Sequence, residues 1–259
     1  MTGVGTGWIG RWRHVLCKLT PVSDAAERSQ LLARMLASDG KTKVLAFVNA
    51  HAMNMAAEQP SFCSDLLNAD FLFRDGSGMR MLMTACGQMP GLNMNGTDFI
   101  PVLLSACQGK KVALWGTQLP YLDAAQRGLE SQAGVRCVSV LNGFLPTEAY
   151  CDALKTAQPD VVILGMGMPK QEKVAAALAG QGTGSCLVVC GGAILDFLGG
   201  KVERAPRLFR LLGLEWLYRL ALEPRRLFKR YVVGNPMFLC RTALFRSRLG
   251  RSGFFGRAD

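Results

Sequence analysis

The sequence predicts an α/β protein built on a mainly parallel sheet, and three observations carry that prediction. Short apolar runs alternate with amphipathic stretches along the first three quarters of the chain, the signature of βαβ units. Hydrophobic residues make up 49% of 259 residues, enough for a sizeable core and too much for a disordered chain. The turns that follow the apolar runs are rich in Gly, Asn and Asp. In parallel sheets those turns lie beyond the carboxyl ends of the strands, where ligands bind.

Taken in order, the runs at 14–19, 43–48, 70–74, 111–115, 135–141, 160–164 and 185–190 read as strands, rich in Val, Leu and Phe. The segments 22–38, 51–67, 77–85, 97–108, 118–132, 147–157, 170–179 and 193–198 carry helical spacing of apolar residues. No internal repeat and no low-complexity segment interrupts this pattern. After Gly199 it changes: residues 207–222 read as one helix, and Pro224 suits the first position of another. A catalytic domain over residues 1–200 and an appendage over 201–259 are the expected units.

Charge divides the chain at the same place. Residues 1–200 hold 16 Lys/Arg against 15 Asp/Glu, whereas residues 201–259 hold 14 against 4, so the tail carries +10 of the net +11. In the helix from Pro224, Arg225 and Arg226 are followed one turn later by Lys229 and Arg230, with Leu227, Phe228 and Tyr231 opposing them. One basic and one apolar, aromatic face is the composition of a helix lying on a membrane surface, and equally of a core-packing helix with a solvated side. Further apolar and basic residues at Phe238, Leu239, Arg241, Leu244, Phe245, Arg246 and Arg248 favour an anionic membrane as the partner.

The chemistry that the residues permit is narrow. His14 and His51 are the only histidines, outside any metal-ligand spacing, and the nine cysteines form no CxxC pair, so no metal site and a reducing, cytoplasmic setting are expected. There is no stretch of roughly 18 apolar residues to cross a bilayer, no secretion signal, no GxSxG elbow and no Walker A loop. Gly165 and Gly167 precede a helix, but Lys170 fills the third glycine position of a dinucleotide fingerprint. That turn can let backbone N–H groups approach an anion, or it is an ordinary strand-to-helix turn. Asp75 ends a buried strand before Gly76 and Gly78. It is a candidate general base for a transfer to a hydroxyl, the alternative being an Asp that caps the following helix. With no DxD motif, a diphosphate leaving group would need fixed cations, and Arg204, Arg207, Arg219, Arg225, Arg226 and Arg230 supply candidates.

From about residue 43 to 235 the motifs succeed one another in an order that resembles the WecG/TagA/CpsF family of glycosyltransferases. The series runs through Val48-Asn49-Ala50, Ala69-Asp70, Asp75-Gly76-Ser77-Gly78, Gly96-Thr97-Asp98, Gly143-Phe144 and Pro159-Asp160. It continues with the run from Gly165 through Lys170-Gln171-Glu172, then Gly191-Gly192 with Asp196, Arg204-Ala205-Pro206, and Gly213 to Leu220. Glu223-Pro224-Arg225-Arg226 and Arg230-Tyr231 close it.

The resemblance implies a modified Rossmann-like domain and an inverting, metal-independent transfer from a UDP-sugar to a sugar on a polyprenyl diphosphate, with no cofactor beyond that co-substrate. It implies Asp75 as general base and Asn49 and Gln171 as sugar or acceptor contacts. Nucleotide-sugar contacts would come from Gly76, Gly78, Gly96, Thr97, Asp98, Gly165, Gly167, Lys170, Gly191, Gly192 and Asp196. Arg204, Arg219, Arg225, Arg226 and Arg230 would serve the diphosphate or the membrane. A basic appendage of this kind docks peripherally on the inner face of the cell membrane and helps complete the site. Phe47 and Asn93 stand where some members have Thr and Arg, which leaves N-acetylmannosamine, its uronic acid and glucose open as donors. A homo-oligomer is compatible with all of this. Two other classes compete: a nucleotide-dependent oxidoreductase, which lacks its glycine fingerprint, and a nucleic-acid binder, whose tail would not need the interleaved Phe, Leu, Trp and Tyr.

Overall fold

The computed structural model describes residues 7–249. Six strands form one sheet: β1 (Thr42–Val48), β2 (Phe71–Arg74), β3 (Lys111–Gly116), β4 (Arg136–Leu141), β5 (Val161–Gly165) and β6 (Cys186–Cys190). Their spatial order is β2-β1-β6-β5-β3-β4, and every adjacent pair is parallel. Pleating sends successive side chains to opposite faces. Val44, Ala46 and Val48 enter one core with Ala113, Trp115, Val162 and Leu164, while Leu45 and Phe47 enter the other with Val112, Leu114, Val161 and Ile163. Both faces are covered, which is why these strands read as continuous apolar runs rather than alternating ones.

The first core lies under α1 (Trp8–Lys18), α3 (Ala50–Glu58), α4 (Pro60–Leu67), α5 (Gly76–Ala85), α8 (Thr147–Ala157) and α9 (Lys170–Ala179). The second lies under α2 (Ala25–Leu36), α6 (Gly96–Ser105), α7 (Tyr121–Ala133) and α10 (Ile194–Leu198). The tail then forms α11 (Arg207–Leu211), α12 (Glu215–Leu222), α13 (Pro224–Phe228), a π turn (Lys229–Val233) and α14 (Gly234–Leu249). Among the described residues no helix is long and apolar enough to cross a membrane.

Several elements differ from the sequence reading. The run at 14–19 is not a strand but the end of α1: Trp12, Val15 and Leu16 lie on one helical face, and Trp12 packs 5.6 Å from both Phe238 and Phe245. Residues 51–67 form two helices because Pro60 can start a helix but not continue one. The helix expected over 207–222 breaks at Gly213, whose φ of +71° is left-handed backbone. Pro224 opens α13 as expected, but that helix widens into the π turn after one turn.

The appendage is also less detached than charge alone implies. Phe238, Phe245 and Leu249 of α14 are buried in the first core, and Arg241 pairs with Glu58 of α3 at 2.9 Å. By contrast α12 has no buried residue, and Leu208, Leu212, Leu217, Leu222 and Phe228 are exposed. Residues 1–6 and 250–259 of the two expected units lie outside the described residues.

Candidate active site

A cleft of about 490 Å³ opens beyond the carboxyl ends of the central strands, a size that suits a nucleotide-sugar ligand. Its floor is Asn49 after β1, Asp75 after β2, Gly165 to Met168 after β5, and Cys190 to Ile194 after β6. Gly96 and Thr97 border it, with Gln171, Asp196 and Phe197. Arg219, Arg226, Leu227, Lys229 and Arg230 of the appendage form the opposite wall. The strands can crowd here only because the positions are glycine: a Cβ on Gly116 would lie 2.4 Å from the Gly165 carbonyl oxygen.

Asp75 occupies the N-cap position of α5, yet its side chain makes no capping bond. Beside it the Gly76 N–H donates to Asn93 Oδ1 at 3.2 Å, an oxygen that also accepts from Arg74. With no capping bond made, the Asp75 carboxylate is left to the cleft that it lines. Among the described residues its side-chain partner is Asn49, whose Nδ2 is 3.5 Å away while its Oδ1 caps α3 on the Ala52 N–H at 3.1 Å. Desolvation raises the Asp75 pKa above the ordinary carboxylate range. The Asn49 contact and the Arg230, Arg219 and Arg74 charges oppose that rise.

Cations facing this carboxylate come mainly from the appendage. The Nε atoms of Arg219 and Arg230 are buried without a partner among the described residues. Arg219 stacks 5.5 Å over the Phe197 ring, and burial lowers the Arg230 pKa. His51, also in the wall, is held neutral with a pKa of about 4 by burial and by Arg230. Guanidinium N–H groups desolvated without an acceptor are costly unless a ligand supplies one. The arrangement thus sets one carboxylate and two partnerless guanidinium Nε atoms around one cleft.

Gln171 is 1% exposed and accepts the Gly192 N–H at 2.9 Å, while its Nε2 donates to Glu172 at 2.8 Å. Gly192, at φ +63°, turns that N–H inward. Asp196 accepts from Thr117 Oγ1 at 2.5 Å and pairs with Lys201 at 3.2 Å.

The remaining expected residues fall elsewhere. Lys170 does not line the cleft: its Nζ donates to the Gly143 and Leu145 carbonyls at 2.9 and 2.7 Å and holds that loop. Gly76, with φ +84°, and Gly78, under Phe238, shape the start of α5 without lining the cleft. Asp98 is exposed and bound to Asn95 and Arg204, so Asp98 and Arg204 form a strut beside the cleft. Arg225 is exposed and does not line the cleft; Arg207 is exposed too. Phe47, His51 and Lys229 also line the cleft; Phe47 was marked only as a departure from the family pattern and Lys229 only as part of a basic helix face. Among the described residues no group of three or more His, Cys, Asp or Glu side chains is placed to hold a metal ion.

The profile of the glycosyl transferase WecG/TagA/CpsF family matches residues 17–253, nearly the whole chain. The chain belongs to this family. The N-acetylglucosaminyldiphosphoundecaprenol N-acetyl-beta-D-mannosaminyltransferases of Staphylococcus aureus strains NCTC 8325, COL and MSSA476 are similar to it. Each is 24% identical over 211 residues, covering 79% of this chain and 81% of the relative. WecG/TagA/CpsF membership makes the cleft, with its uncommitted Asp75 and its wall of arginines, the place to look for glycosyl transfer.

Proposed function

We propose that this protein transfers a sugar from a UDP-sugar to a sugar carried on a polyprenyl diphosphate, with inversion and without a metal. The observation that carries the proposal is the Asp75 carboxylate, free of any capping role and set opposite the guanidinium groups of Arg219 and Arg230. In the step, the acceptor hydroxyl gives its proton to Asp75 as its oxygen attacks the anomeric carbon. The bond from that carbon to the UDP oxygen breaks, and the departing diphosphate takes the electron pair. Arg219 and Arg230 hold the charge that develops. A carboxylate with a raised pKa is the stronger base. N-acetylmannosamine, its uronic acid and glucose are the candidate donors, and the similar staphylococcal transferases support the first.

The exposed Leu208, Leu212 and Phe228, interleaved with Arg207, Arg210 and Arg225, support peripheral docking on the anionic inner face of the cell membrane. A screen of UDP-sugars against a short-chain polyprenyl-diphosphate acceptor tests the reading. One donor should be used in the presence of EDTA, and Asp75→Asn should slow its transfer by about 100-fold or more while retaining UDP binding. Full turnover by that variant, or loss of activity in EDTA restored by magnesium, would refute it.

A further inference from the structure

The chain between α13 and α14 departs from the α-helical ladder where Arg230 leaves it. Lys229–Val233 form a π turn, and the Gly234 N–H closes on the Lys229 carbonyl. The sequence reason is Pro236, which has no N–H to offer and whose ring crowds the carbonyl four residues before it. Such a turn is rare and intrinsically loose, so something must define it.

Asn54 of α3 is buried, 5% exposed, directly against this turn. Its Nδ2 donates to the Gly234 carbonyl at 2.7 Å. Its Oδ1 accepts from Arg241 at 3.0 Å, and the same guanidinium reaches Glu58 at 2.9 Å. One amide therefore ties the end of the π turn and the body of α14 to the helix that also carries His51 at the cleft wall. What the amide answers at this depth is the Gly234 carbonyl and the Arg241 guanidinium. An apolar side chain would pack α3 on α14 without the burial cost of an amide.

We propose that Asn54 is a positioning residue for Arg230. Its amide fixes the π turn, and the turn fixes where the guanidinium stands relative to Asp75 and the leaving diphosphate. This rests on the role proposed for Arg230 above. Arg241 and Glu58 serve the docking of α14, so the two functions of the network are separable. The donor N–H of Asn54 orients Arg230, and the Arg241 bridge holds the helix.

The test uses the full-length chain and a short-chain acceptor, with donor kcat/KM, UDP affinity and melting temperature measured for each variant. Asn54→Asp keeps the shape and the acceptor for Arg241 but replaces the N–H that Gly234 needs. It should lose about 10- to 100-fold in kcat/KM and weaken UDP binding, the scale of a displaced charge clamp. Arg241→Gln keeps the Asn54 bond to Gly234. It should melt lower yet stay within about threefold of the parent in kcat/KM. In an Arg230→Ala background, Asn54→Asp should cost less than about twofold, because two changes acting through one group are not additive. Asn54→Ser replaces the Asp variant if that one does not fold. Parent-like kcat/KM in the Asn54 variant that folds, or losses that multiply with Arg230→Ala, would overturn the positioning role. Parent-like turnover of Arg230→Ala alone would instead remove the role of Arg230, and this inference with it.

Discussion

Replacing Glu172 by glutamine should stabilise the protein by an amount that grows with pH. Glu172 is 2% exposed on the inner face of α9. One carboxyl oxygen accepts from Gln171, and the other is buried without a partner among the described residues. Burial, reinforced by Asp65, raises its pKa from 4.5 to about 7. The folded chain thus keeps a proton that the unfolded chain has released, and between those two values stability falls as pH rises. At 1.36 kcal/mol per pKa unit the full cost is about 3 kcal/mol, reached above pH 7 and under about 1 kcal/mol at pH 5. The glutamine side chain cannot ionise and escapes it.

For a domain of this size, about 3 kcal/mol is worth roughly 6 to 10 °C in melting temperature. Paired thermal or urea melts of the parent and Glu172→Gln at pH 5 and pH 8 measure the effect. Equal differences at the two pH values, or a variant less stable at pH 8, would show that Glu172 does not stay protonated in the fold.

Three other groups have effects of comparable size. Phe245→Ala should cost about 3–5 kcal/mol in urea unfolding, because the ring is fully buried against Trp12; a loss under about 1 kcal/mol would mean that α14 is not part of the core. Arg225→Glu should weaken binding to anionic vesicles by roughly 30-fold, from about 1 kcal/mol for each unit of charge. It should leave transfer to a soluble acceptor intact, since Arg225 does not line the cleft. The rate of transfer should fall as pH drops through the ionisation of Asp75, and burial moves that limb up from the ordinary carboxylate value; an acid limb that persists unchanged in the residual activity of Asp75→Asn would contradict Asp75 as the base.

Six of the seven strands read from the sequence are present, because a strand buried on both faces needs an uninterrupted apolar run, and those runs are local. The seventh, 14–19, is ambiguous for the same reason. A short apolar run fits a buried strand or a buried helix face, and Phe238 and Phe245, which pack on Trp12 of the same face, lie more than 200 positions away. That Asp75, Asn49 and Gln171 reach the cleft was legible from strand ends and motif order. Lys170 was not: its neighbour Gln171 enters the cleft region, while the Lys170 ammonium caps the Gly143–Leu145 loop. One residue of helix rotates a side chain by about a quarter turn, and spacing within the motif does not say which face the cleft occupies.

By itself the sequence determined the parallel α/β frame, the run of Gly- and Asp-bearing turns at one sheet edge, the family, and the basic tail. These depend on periodicity, composition and order, which are properties of neighbours along the chain. Only the tertiary structure decided which cations of the tail share the cleft with Asp75, that the Asp75 carboxylate makes no capping bond, and that α14 belongs to the core. Each of these depends on groups far apart in sequence competing for one partner or one volume. That competition has no outcome until the chain has folded.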